Sequence, residues 1–185
     1  ATINENPFFV TLPFHLLIPF LPLSLIPDGE MARAVYTLFS EFALFALIAI
    51  GFRLADWSPG RIFFIGCMIA FAVNFYTFEA LRDISPSMLI TLACFGGLFA
   101  MRSEMDELAG ALFALSCFQW EMTSPFLLLI ALYVYDQKRW RVLAGFAMLT
   151  IVLLIASFLW YPNWFIPYLS AVWAASKFGH GFSAH

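Results

Sequence analysis

Apolar runs broken at short intervals by charged turns constrain this chain more than any other feature. The runs cover residues 30–54, 62–79, 86–101, 108–120, 124–135 and 142–160. Between them stand Arg53 and Arg61, then Glu79, Arg82 and Asp83, then Arg102, Glu104, Asp106 and Glu107, and last the block Asp136–Arg141. At 1.5 Å per residue, about 20 apolar residues cross the roughly 30 Å hydrocarbon core of a bilayer. The pattern therefore predicts an all-α fold, a polytopic transmembrane helical bundle of about six spans. The runs 108–120 and 124–135 are short, and read as tilted helices or as a pair meeting at a wet pocket.

Composition makes water an unsuitable solvent for such a chain. Hydrophobic residues make up 63% and charged residues 11%, with a mean hydropathy of +0.88; a soluble domain carries about 25% charged residues. A chain of 185 residues has too little interior to hide that much apolar surface. The net charge of -3, with no basic tract, argues against nucleic acid as a partner. Cys67, Cys94 and Cys117 show no C-x-x-C spacing, and His15, His180 and His185 are dispersed, so no metal site is expected. Phosphate-loop, dinucleotide, zinc-protease and nucleophile-elbow motifs do not occur, which disfavours those enzyme classes.

The ends differ from the middle. Pro7, Pro13, Pro19, Pro22 and Pro27 each remove a backbone donor, so residues 1–29 read as a Pro-broken re-entrant or interfacial segment. Residues 30–160 hold the spans, and the aromatic tail 161–185 suits an extracytoplasmic interface; the whole reads as one transmembrane domain. No basic region opens the chain, so a cleavable signal peptide is not expected. The Asn-rich start and the Gly/His-containing end are those expected of a piece of a longer polypeptide. Basic residues favour the cytoplasmic side. This rule places the Lys138–Arg141 loop in the cytoplasm of an inner-membrane, multi-pass protein, with Arg102, Arg53 and Arg61 on the same side. The 79–85 and 119–125 turns are then extracytoplasmic.

Those external turns bring together Glu79, Arg82, Asp83, Ser85, Glu121 and Thr123. Arg82 can pair with a phosphate, with Ser85 and Thr123 as further polar contacts, and Asp83 or Glu121 can act as a base or orient a hydroxyl. Ordinary helix-end charges in a solvated loop are the alternative, and Asp83 before Ser85-Pro86 is also a helix-start signal. Glu41 lies inside the run 30–54, where a carboxylate is protonated or paired. It reads either as an intramembrane functional group or as a neutral interhelical residue with Ser40 as partner. Stripes such as Phe39, Phe42, Phe45 and Phe71, Phe75, Phe78 read as lipid-facing or packing residues, or as a groove for a long-chain lipid. Trp57, Trp120, Trp140, Trp160 and Trp164 read as interface anchors. Gly96-Gly97 permits close helix approach without forming G-x-x-x-G.

The order of motifs resembles the polyprenol-phosphate-dependent membrane glycosyltransferases of family 87. Asn6-Pro7-Phe8-Phe9 with its proline-rich continuation is similar to that family's N-P-F-x-Y-P-P segment, and Ala80–Ser85 to its L-R-x-G-Q-x-N turn. Leu108–Leu115 resembles an L-A-G-x-x-L-A-L helix, Glu121–Pro125 a K-x-x-P turn, and Lys138–Arg141 a basic cytoplasmic loop. The resemblance implies a GT-C-like fold with an extracytoplasmic active site, and a donor sugar carried on polyprenyl phosphate. It places the catalytic acid in an external loop upstream of residue 1. Glu121 stands where the family carries lysine, and Asp83-Ile84 where it carries Gly-Gln.

Two functions follow. The chain is a glycosyltransferase-like protein that binds polyprenyl phosphate or another long-chain lipid, catalytically inactive if the charge reversal is decisive. Alternatively it is a noncatalytic subunit packed against other membrane subunits. A small transporter using Glu41 is a third reading, without the internal repeat such proteins show.

Overall fold

The computed structural model describes residues 18–74 and 85–178, which form helices and connecting turns with no strand among them. After a helical turn at Leu21–Ser24 the helices are α1 (Gly29–Leu54), α2 (Arg61–Val73), α3 (Ser87–Arg102), α4 (Asp106–Ser116), α5 (Trp120–Asp136), α6 (Trp140–Trp160) and α7 (Phe165–Phe178). The chain divides into two compact units, residues 20–151 and residues 1–19 with 152–185.

Local chemistry sets the boundaries. The Asp28 carboxylate accepts the Glu30 N–H at 3.0 Å and so caps α1. Pro86 occupies the N-cap position of α3, and the Ser85 hydroxyl accepts the Ser87 N–H at 3.4 Å. The second apolar run was predicted to continue as helix to residue 79, but α2 ends at Val73. Asn74 turns extended at ψ 135, as suits a side chain that competes with the helix for backbone hydrogen bonds. The expected break over 119–125 comes earlier: the chain reverses through a 3-10 turn at Cys117–Gln119, and Pro125 lies inside α5. The Thr123 hydroxyl donates to the Ser116 carbonyl at 3.0 Å, tying the start of α5 to the end of α4.

Length separates the helices. Among the described residues α1 and α6, with 26 and 21 residues, are long and apolar enough to cross a membrane; α2, α3 and Met122–Asp136 of α5 are shorter apolar helices. Only 28% and 22% of the most apolar windows of α1 and α6 are buried, unlike the core helix of a soluble protein. Two of the predicted crossings thus coincide with helices of spanning length among the described residues.

In the unit 20–151, α3 and α4 form a tight antiparallel hairpin, and α1 runs beside α3. Ala100, Met101, Ala109, Phe113, Val134 and Val142 make the core, with Phe126, Ile130 and Phe146 packed against it. Helices α4 and α6 meet backbone to backbone. A Cβ on Gly110 would collide with the Val142 carbonyl and stand 2.5 Å from the Phe146 nitrogen, and one on Gly145 would stand 2.7 Å from the Glu107 Cα. Glycine is required at both places.

In the other unit, Trp164 is 5% exposed, with Phe158 at 5.6 Å, Phe165 at 5.7 Å and Tyr168 at 5.8 Å between ring centroids. It is a core residue there, which corrects its reading as an interface anchor. Trp57, Trp140 and Trp160 are exposed, as that reading requires.

Candidate functional site

Within residues 20–151 the helix hairpins define two ends. At the first, α1, α3 and α5 finish while α2, α4 and α6 begin. Each finishing helix carries the same cap, with a left-handed residue, Asp56 (φ 53), Glu104 (φ 58) or Lys138 (φ 55), just beyond its last turn. The next residue's N–H reaches back to close the turn: Trp57 to Phe52 O at 3.0 Å, Met105 to Ala100 O at 2.9 Å, Arg139 to Val134 O at 3.0 Å.

Two arginines tie these turns together. Arg102 donates from Nη1 to the Arg53 and Leu54 carbonyls at 3.1 and 2.8 Å, and from Nη2 to both Asp56 carboxylate oxygens at 2.5 Å. It therefore adds side-chain donors to the carbonyls at the end of α1, where Arg53 O also accepts the Asp56 N–H at 3.3 Å. Arg139 donates from Nε to Asp106 at 3.3 Å and from Nη2 to the Met101 carbonyl at 2.8 Å, and its Nη2 also pairs with the other Asp106 oxygen. The Asp106 hydrogen bond, the largest influence, holds the Arg139 guanidinium above its ordinary value. Arg141 and Glu107 stand 3.8 Å apart in the open. This end holds the hairpins together. Sequence reasoning read its residues as topology signals and missed the ties, whose one sequence trace is an arginine closing a helix near an aspartate in a neighbouring turn.

The opposite end holds Ser85 and Thr123 of the sequence-predicted residues. The Tyr36 hydroxyl donates to the Ser85 carbonyl at 3.0 Å, joining α1 to the start of α3. Ser85 Oγ donates to Ser87 Oγ at 3.0 Å, and Thr91 to the Ser87 carbonyl at 2.7 Å. Thr123, 6% exposed, is held by the Ser116 carbonyl. Ser85 and Thr123 thus share an end of the bundle, each bonded locally. Glu79, Arg82 and Asp83 lie outside the described residues. Glu121 lies in the first turn of α5, and its side chain also falls outside the described ones. Among the described residues no group of three potential metal ligands occurs.

Glu41 departs from expectation. It is exposed, whereas Ser40 is 1% exposed with its hydroxyl unbonded. Neighbours on a helix point about 100° apart, so Ser40 faces the interior and Glu41 does not. The two side chains do not pair. Glu41 instead lies with Glu30, Arg33, Ala34, Thr37 and Leu38 on one open side of α1.

These features define a helical protein of membrane type, with two helices of spanning length and apolar side chains turned outward. Residues 11–184 match the family model described as glycosyltransferase family 87, and the chain belongs to that family. No curated protein and no solved structure matched the chain.

Proposed function

We propose that this chain is a glycosyltransferase-like membrane protein whose donor is a sugar on polyprenyl phosphate. The observation that carries the reading is the family match over nearly the whole chain. In this reading the shorter helices complete a bundle of about six crossings in the inner membrane. The Lys138–Arg141 end faces the cytoplasm, and the Ser85–Thr123 end faces outward.

Arg82 would receive the lipid phosphate by charge-assisted hydrogen bonds, with the Ser85 and Thr123 hydroxyls nearby. Asp83 or Glu121 would orient or deprotonate the acceptor hydroxyl as its oxygen attacks the sugar's anomeric carbon, polyprenyl phosphate leaving. The test is turnover of a polyprenyl-phosphate sugar by the purified chain in proteoliposomes. Asp83→Asn is expected to lower the rate by at least tenfold, and an unchanged rate removes Asp83 from the mechanism.

One observation favours a second reading. Glu121 replaces the lysine of the family pattern, and a carboxylate repels phosphate. A noncatalytic subunit of a larger membrane assembly then follows. Absence of turnover together with stoichiometric co-purification of other membrane subunits would select it.

A further inference from the structure

The charged end of the unit 20–151 divides turn by turn once its two arginine ties are set aside. Asp56 is held on both carboxylate oxygens by Arg102, and Asp106 is held by Arg139. Glu104 and Glu107 are then left at the α3–α4 turn. Asp136, Lys138 and Arg141 are left at the α5–α6 turn, the last 3.8 Å from Glu107. At the α1–α2 turn the charges left are Arg53 and Arg61. Both are exposed, and among the described residues neither makes an ion pair. With its carboxylate committed to a neighbouring turn, this turn keeps two cations and no open anion.

Apolar surface adjoins these cations. Arg53 lies in the last turn of α1 and Arg61 opens α2, and the two helices fold back so that Phe52 and Phe64 meet at 5.7 Å between ring centroids. Both arginines therefore start from nearly the same level of the bundle. Trp57 and Phe63, exposed and 5.0 Å apart, belong to the same turn, and an exposed Trp at a helix end suits the headgroup layer. The Arg53 guanidinium stands 6.0 Å from the Phe99 ring, a contact that leaves its N–H edge available. None of the 13 residues of α2 is buried, and Ile62, Ile65 and Ile69 are exposed. That helix rises about 20 Å, more than the roughly 15 Å depth of one acyl leaflet.

We propose that the α1–α2 turn binds a phospholipid of net negative charge. Arg53 and Arg61 receive its phosphate by charge-assisted hydrogen bonds, for which the guanidinium fork is shaped. Trp57 and Phe63 lie beside the glycerol, and the acyl chains run along α2. Charge complementarity names the lipid class, since basic groups at a membrane surface attract anionic lipids. A zwitterionic headgroup brings an ammonium of its own, and with Asp56 occupied no carboxylate of this turn is open to receive it. The apolar length of α2 names a lipid rather than a free phosphate, which makes no use of that surface. This turn and the Ser85–Thr123 end lie at opposite ends of the bundle, so the occupant is distinct from a sugar donor bound there.

The test reads lipid retention alone and is independent of sugar transfer. The full chain is reconstituted in vesicles of phosphatidylglycerol and phosphatidylcholine in equal amounts, without polyprenyl phosphate. It is then released in detergent, and the lipids that stay bound are counted by native mass spectrometry. The parent should keep phosphatidylglycerol over phosphatidylcholine by about tenfold, as two arginines near a headgroup allow. The double variant Arg53→Gln, Arg61→Gln should bring the two lipids within about twofold of parity. Lys138→Gln with Arg141→Gln removes the same charge from the same end, and should change the preference less than about twofold. Equal retention of both lipids by the parent, a preference kept without Arg53 and Arg61, or equal losses in the two double variants would each overturn the proposal. Should the first double variant fail to fold, Arg61→Gln alone, at an exposed side chain without an ion pair, must lower the preference at least about threefold.

Discussion

Three side-chain-bearing residues, Asp56, Glu104 and Lys138, hold left-handed backbone at corresponding turns, a conformation that costs an L-residue roughly 1–2 kcal/mol. Glu104 is exposed, so Glu104→Gly should relieve the strain and keep the cap. Set against glycine's extra freedom when unfolded, a net gain of about 0.5 kcal/mol is expected, read as a rise in Tm in detergent. The arginine ties make the opposite case. Arg139 and Asp106 are 24% and 13% exposed at their side chains, and Arg139→Met leaves a largely buried carboxylate without its ion pair, a loss of about 2 kcal/mol. Arg141→Met should cost less than about 0.5 kcal/mol, since that pair is open to solvent and loosely spaced. Equal Tm losses for the two variants would contradict the roles given to them. At this scale the sequence showed which residues are charged but not which are tied. Asp56 and Arg102 are 46 residues apart, and no local pattern announces a pair formed by two hairpins meeting.

Elements were more legible, because hydrophobic runs and breakers are local properties. Ser85-Pro86 and the 136–139 block mark helix ends where expected; Asn74 and the reversal at 117–119 do not. Asn74 is a weak breaker in isolation, and the reversal rests on the Thr123–Ser116 bond, which needs the folded hairpin. Glycine is instructive in the same way. Gly96-Gly97 was the anticipated close approach, and Gly97 does lie under the Phe113 ring. The backbone-to-backbone crossing is instead made by Gly110 and Gly145, on helices joined only through α5. Gly110→Ala should therefore push α4 from α6 and lower stability by about 3 kcal/mol. Gly66→Ala, with nothing within 4 Å of the added Cβ, should be neutral or stabilising by up to about 1 kcal/mol through helix propensity. Thermal unfolding of both variants in the same detergent checks the contrast. A mild Gly110→Ala would mean that the crossing is looser than drawn.

For the whole molecule, orientation is the property on which an outward-facing site depends. The hairpins of the unit 20–151 gather Arg53, Arg61, Arg102, Lys138, Arg139 and Arg141 at one end, against Asp56, Glu104, Asp106, Glu107 and Asp136. Six cations against five carboxylates leave a net charge of one, so a net-charge rule would orient this chain weakly. The positive-inside rule counts lysine and arginine near the ends of spans and gives acidic residues little weight. The two rules therefore separate here. Replacing Glu104 and Asp136 by glutamine triples the net positive charge of that end, yet should leave orientation unchanged. Replacing Arg61, Lys138 and Arg141 by glutamine preserves the two tight ties but halves the basic count, and should produce a mixed population. A cysteine at Ser103, next to the α3 cap, reports the result. In the parent and the acidic variant it should react with a membrane-impermeant maleimide only after cells are opened, and in the basic variant a fraction should react in intact cells. Labelling of the parent from outside would invert the bundle and place the Ser85–Thr123 end in the cytoplasm, away from any extracytoplasmic acceptor.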